Sequence, residues 1–118
     1  MAGAKIVNDF INNNFSGIPV VFTADINTTR GKAAYNTMTG SLNDAALTAK
    51  DSIGFGTFHA CSPETHANYY IDFILCSNDI TVETYRTVTK GIDGRFVSDH
   101  FPIYADVTLP EGGKNTVC

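Results

Sequence analysis

The three cysteines, Cys61, Cys76 and Cys118, are odd in number and contain no C-x-x-C pair, so neither a disulfide framework nor a zinc site is suggested. They read as ordinary thiols. Positive charge is also scarce: 8 Lys and Arg against 12 Asp and Glu leave a formal charge of -4 and a pI near 5.1. That balance disfavours the broad basic surface with which a duplex-binding module displaces counterions. The opening stretch "MAGAKIVNDFINNNF" has no uninterrupted apolar run of signal-peptide or membrane-spanning length, and the chain as given reads as soluble. No internal repeat is present. Asn14-Phe-Ser and Asn27-Thr-Thr fit the glycosylation acceptor pattern, which recurs often by chance and carries little weight here. What remains is 118 residues, 43% hydrophobic and 17% charged, which suits one globular domain with a single core.

In "KIVNDFINNNF" the apolar positions Ile6, Val7, Phe10, Ile11 and, loosely, Phe15 recur at three-to-four spacing, predicting an amphipathic helix ended by Ser16-Gly17. Ile18 to Phe22 is apolar on both alternating faces and reads as an interior strand, with Pro19 tolerated near its beginning. "TTRGKAAYNTMTG" offers a short helix around residues 32–39 closed by Gly40, and "SLNDAALTAK" another, capped by Asn43 or Asp44. Three strand candidates follow: "NYYIDFILCS", "TVETYRTVT" and "FPIYADVTL". The tail 110–118 reads as frayed. This order predicts an α/β (α+β) domain, with helices packed on one face of one sheet. Too few helices remain for the other face, so a partner subunit or further sequence is expected to bury it.

Asp25 and Asn27 stand two apart at the end of the first strand, where their side chains share a face if strand geometry persists. Both residue types also begin turns readily through side-chain to backbone bonds. Asp72 interrupts a strand apolar on both faces, and an ionisable group there costs several kcal/mol unless it is paired. "GRFVSDHFPIYADV" puts Ser98, Asp99 and His100 just before an apolar strand, which makes His100 the natural partner of Asp72. A carboxylate on one imidazole nitrogen fixes the tautomer and raises the basicity of the other. The plain alternative is that His100 caps a turn and Asp72 bonds backbone amides. His59 reads as a packed loop residue and His66 as exposed; Arg30 and Arg95, each a few residues from an acidic motif, could meet a phosphate but read first as ordinary solvated surface cations.

Three segments in this order resemble the C-terminal half of the endonuclease/exonuclease/phosphatase superfamily, the DNase I-like fold, over roughly residues 4–109. "PVVFTADIN" is similar to the family strand ending Gly-Asp-x-Asn, with Ala24 where Gly is usual; "YYIDFILCS" resembles its Arg-Ile-Asp-Tyr-Ile segment, and "GRFVSDHFPIYADV" its Ser-Asp-His strand. The connecting "AYNTMTGSLNDA" and "GFGTFH" also look like stretches of bacterial members. The resemblance implies half of a four-layer α/β sandwich, with residues 1–109 as the half-domain and 110–118 as a flexible tail. It implies in-line hydrolysis of a phosphate ester by a Mg2+- or Mn2+-dependent enzyme. Asp25 would orient or deprotonate the attacking water, Asn27 would bond the phosphate or metal-bound oxygens, and His100 would contact the scissile phosphate. Asp72 would orient His100, and Asp99 would lie beside the metal.

The departures carry equal weight. In the family the principal metal-binding Glu, an Asn before it and a further catalytic His come from the N-terminal half, and this chain begins after that half should have ended. The ion is therefore expected to bind weakly and the isolated chain to be feeble or inactive. The expected partners are a phosphate ester and, against the bare sheet face, either the missing half or a second copy of the chain. The other reading is a non-catalytic remnant that dimerises through that face as an interaction module. The loops that choose among nucleic acid, phosphoinositide, sphingolipid and other esters lie largely in the other half.

Overall fold

The computed structural model describes residues 2–62 and 69–111, and the expected frayed tail, His66 and Cys118 fall largely or wholly outside them. Among the described residues three helices and six strands follow one another in the order α1 (Ala2–Asn14), β1 (Val21–Asp25), α2 (Ala33–Thr39), β2 (Asn43–Asp44), α3 (Ala45–Thr48), β3 (Asp51–Ile53), β4 (Asp72–Cys76), β5 (Thr81–Thr87) and β6 (Ile103–Thr108). No helix among the described residues is long and apolar enough to cross a membrane.

The α/β class stands, and its sheet is divided in two. One sheet has the order β1-β4-β2, all antiparallel; the other has β3-β5-β6, with β3 parallel to β5. Strand β4 explains the division. Its Phe73 and Leu75 join Tyr35, Met38 and Leu42 under α1 and α2, while Ile74 and Cys76 on the opposite side join Val82 and Tyr85 of β5. Ile103, Ala105 and Val107 of β6 pack on that second cluster, and Ala45 of α3 closes it. The face of β4 expected to be bare is therefore covered by the chain's own second sheet: the alternating Ile103, Ala105 and Val107 of β6, with Val82 and Tyr85 of β5 on either side of a register shift, present a matching apolar row.

The exposed part lies one strand further out. β1 is an edge strand, not an interior one: Val21 and Ile18 remain 48% and 53% exposed, and among the described residues β1 pairs only with β4. Val21, Thr23 and Asp25 form its open row. On α1, Ala4, Val7 and Ile11 pack inward, whereas Ile6 and Phe10 face out.

The local signals explain the element ends. Asp44 caps α3 by accepting the Ala46 N–H at 3.0 Å, and Gly40 follows α2 as expected, in an ordinary right-handed conformation. Before the Ser98–His100 segment, Asp93 and Gly94 both take positive φ (51° and 76°), and Ile92 and Arg95 exchange backbone hydrogen bonds across them. This is the two-residue Asp-Gly hairpin turn.

Arg30 is not a solvated surface cation. Its Nε donates to Asp44 Oδ2 at 2.8 Å, Tyr35 Oη donates to the same oxygen at 2.8 Å, and the guanidinium lies over the Tyr70 ring, 4.6 Å from its centroid. Burial and the Asp44 carboxylate push the Tyr35 phenol up to about 12. Burial opposes the charge on Arg30, and the bond to and charge of Asp44 together with Tyr35 outweigh it, so the Arg30 pKa is raised. Removing one partner of a buried pair strands the other. Arg30→Met is expected to cost about 3 kcal/mol of stability, at the lower end for a stranded buried charge because Tyr35 and Ala46 still bond Asp44. Urea denaturation followed by circular dichroism measures this, and an unchanged midpoint would contradict it.

Candidate active site

β1 and β4 are paired so that Asp25 stands directly opposite Asp72. Both strands end there, which sets two carboxylates at one end of the sheet. Asp72 is mostly buried and Asp25 more open, with side chains 19% and 37% exposed. The segment before β6 then brings His100 in from the other sheet. His100 Nδ1 lies 2.7 Å from Asp72 Oδ2, and its Nε2 lies 3.9 Å from Asp25 Oδ2 and 4.0 Å from Asp99 Oδ1. An ionised carboxylate can only accept, so Nδ1 carries the proton and Nε2 is turned toward Asp25 and Asp99.

Asp72 thus has the partner that its place in an apolar strand demands. The bond from Asp72 raises the His100 pKa above its ordinary value; partial burial works against this, and the charges of Asp72, Asp25 and Asp99 add to it. A raised histidine pKa contributes stability that is fully present below the unfolded value near 6.5 and is lost as pH rises through the folded value.

Asn27 arrives differently from expectation. The strand stops at Asp25, and Asn27 has a φ of 52°, so the two side chains do not share a face by strand alternation. Instead the Asn27 N–H donates to Asp25 Oδ1 at 2.8 Å. The turn reading of this pair stands: the turn occupies one Asp25 oxygen and leaves Oδ2 toward His100. The His100 backbone N–H donates to Ser98 Oγ at 3.1 Å, while its ring meets Asp72.

Asp25, Asp72 and His100 could hold a metal ion, with one ligand atom from each lying within 4.8 Å of the others. Magnesium and manganese favour oxygen, and Mg2+ in particular is bound through one or two carboxylates together with substrate oxygens. Asp72 Oδ2 is engaged by His100, which leaves Asp25 Oδ2 and the more exposed Asp99 as the oxygen donors suited to a hard cation. The donor set fits such an ion in part.

Of the residues singled out earlier, Asp25, Asn27, Asp72, Asp99 and His100 all gather at this sheet end. His59 does not join them as a ligand: it is buried, 1% exposed, between Phe96 and Phe101, with ring centroids 4.7 and 4.3 Å away. Its Nδ1 accepts the Cys61 N–H, and its Nε2 has no hydrogen-bond partner among the described residues. Arg95 helps line a cleft of about 180 Å³ beside His100, with Lys90, Ile92, Phe96 and Val97. Two contributors were not singled out from sequence. Thr57, fully buried, bonds the backbone of Asp72, and the Phe58 ring meets the His100 ring edge-on at 5.1 Å. Their only signal was a Thr-Phe pair in a glycine-containing loop.

No protein-family model and no curated protein matches the chain. Solved structures do. An endonuclease/exonuclease/phosphatase from Bacteroides vulgatus is 29% identical with a TM-score of 0.79, covering 90% of this chain and 42% of its own. A functionally unknown conserved protein from Enterococcus faecalis is 26% identical with a TM-score of 0.79, covering 92% and 43%. A mannosyl-6-phosphatase from Bacteroides thetaiotaomicron is 23% identical with a TM-score of 0.79, covering 90% and 44%, and that likeness speaks for the fold. The chain spans less than half the length of each, a share that a C-terminal half fits.

Nuclear magnetic resonance titration of the ring protons is expected to place the His100 pKa above 6.5, and Asp72→Asn is expected to bring it down. A His100 value at or below 6.5 in the unsubstituted chain would contradict the pairing.

Proposed function

We propose that this chain, which has the DNase I-like fold of the endonuclease/exonuclease/phosphatase proteins, is the C-terminal part of a magnesium-dependent phosphoesterase and carries half of its active site. The observation that carries this reading is the 2.7 Å Asp72–His100 bond with the Asp25 carboxylate facing the other imidazole nitrogen. The mostly buried Asp72 carboxylate accepts from Nδ1–H and favours the protonated ring, whose Nε2–H can then donate to a phosphoryl oxygen and stabilise the charge that develops there. In this reading His100 contacts the scissile phosphate and Asp72 orients it. Asp25 orients or deprotonates the water, and Asn27, held beside Asp25 by its turn, bonds the phosphate oxygens. Asp25 and Asp99 would hold the magnesium ion, which supplies charge neutralisation on those oxygens when bound.

The favoured partner to form the other wall of the cleft is the N-terminal half of the same fold. One feature supports this: the Val21, Thr23 and Asp25 row of β1 lies open beside the site. A second copy of the chain is the alternative occupant, and that open row would then form an isologous contact.

Hydrolysis of bis-p-nitrophenyl phosphate at high protein concentration tests the reading. Turnover by the chain alone is expected to be slow and raised by magnesium, and His100→Ala is expected to lower it by about a hundredfold or more, down to the uncatalysed rate if that comes first. Magnesium-stimulated turnover that is equal in the chain and in His100→Ala would overturn the role given to His100.

A further inference from the structure

Asp72 and His100 come from different sheets, and their alignment depends on a third segment that belongs to neither. Residues 57–60 run between them. Thr57 is the pivot: its Oγ1 accepts the N–H groups of Ile71 and Asp72, each at 3.1 Å, and donates to the Tyr69 carbonyl at 3.4 Å. A hydroxyl has one proton and two lone pairs, so this one is fully used. The residue is 0% exposed, so water cannot substitute for it. On the other side the Thr57 carbonyl accepts the Phe101 N–H at 2.7 Å, one residue beyond His100. The N–H groups of His59 and Ala60 then both donate to the Asp99 carbonyl, at 2.9 and 3.2 Å. The Phe58 ring lies against the His100 ring between these bonds.

We propose that Thr57 is a positioning residue for the Asp72–His100 pair, its hydroxyl fixing the Asp72 backbone while its carbonyl fixes the segment before β6 that carries His100. This rests on the reading of Asp72 and His100 as the working pair. Ile71 and Asp72 need that hydroxyl because they lie just where β4 begins, and their amides therefore find their bond in this side chain. Valine keeps the shape of threonine and removes the hydroxyl, leaving two buried amides without an acceptor. Serine keeps the hydroxyl and loses only the methyl group.

The test compares the unsubstituted chain with Thr57→Val, Thr57→Ser and Asp72→Asn by magnetic resonance, reading the His100 Nδ1–H proton and amide exchange. In Thr57→Val the Nδ1–H resonance is expected to be lost to solvent exchange, and protection of the Ile71 and Asp72 amides to fall about tenfold or more. Thr57→Ser is expected to restore both, which a role in packing alone would not require. A Thr57→Val chain that keeps the Nδ1–H resonance in place, while Asp72→Asn loses it, would overturn the positioning role and leave the pair intact. An Nδ1–H resonance unmoved by Asp72→Asn would instead overturn the pair itself. Should Thr57→Val fail to fold, exchange in the unsubstituted chain decides the matter: the Ile71 and Asp72 amides and His100 Nδ1–H are expected to open with one shared free energy, and clearly separate values would refute the coupling.

Discussion

A strand that is apolar on both faces has to be covered on both, and β4 imposes that constraint on the whole chain. The helices answer it on the Phe73–Leu75 side and the second sheet answers it on the Ile74–Cys76 side. Because β5 and β6 must fold over β4 to do so, the segment that leads into β6 is delivered to the end of β4, where Asp72 stands. The acid–imidazole contact is thus a consequence of core packing. The cost of a carboxylate at the end of such a strand is offset by the bond to His100, and that bond needs the packing to be in place first.

The same constraint accounts for what is left open. Two short strands can cover β4 and little more, so β1 keeps Val21, Thr23 and Asp25 uncovered, and Asp25 is both a proposed site residue and part of that open row. The matching solved structures are more than twice as long as the chain.

Much of this was legible from sequence. Asp72 announced itself as a charged residue in a run with no other polar break, and His100 as its natural partner. The caps at Asp44 and Gly40 followed from local chemistry alone. The errors share one cause. Alternation shows that a strand is buried on two sides, but not by what, so the sequence reading placed β1 inside the sheet and left the second face of β4 bare. Arg30 was misjudged for a related reason: the acid that holds it, Asp44, is fourteen positions away and had been explained already as a helix cap. Thr57 was passed over because a hydroxyl that bonds backbone across a loop leaves no pattern in the residues around it.

Paramagnetic broadening of the chain's resonances by Mn2+ reports where a hard cation sits without requiring turnover. Sub-stoichiometric Mn2+ is expected to broaden Asp25, Asp99 and His100 first, excess Mg2+ to reverse it, and Asp25→Asn to weaken it. Broadening centred instead on the exposed carboxylates of the second sheet, Asp51, Glu83 or Asp106, would mean that the Asp25–Asp72–His100 cluster is not half of a metal-dependent phosphoesterase site.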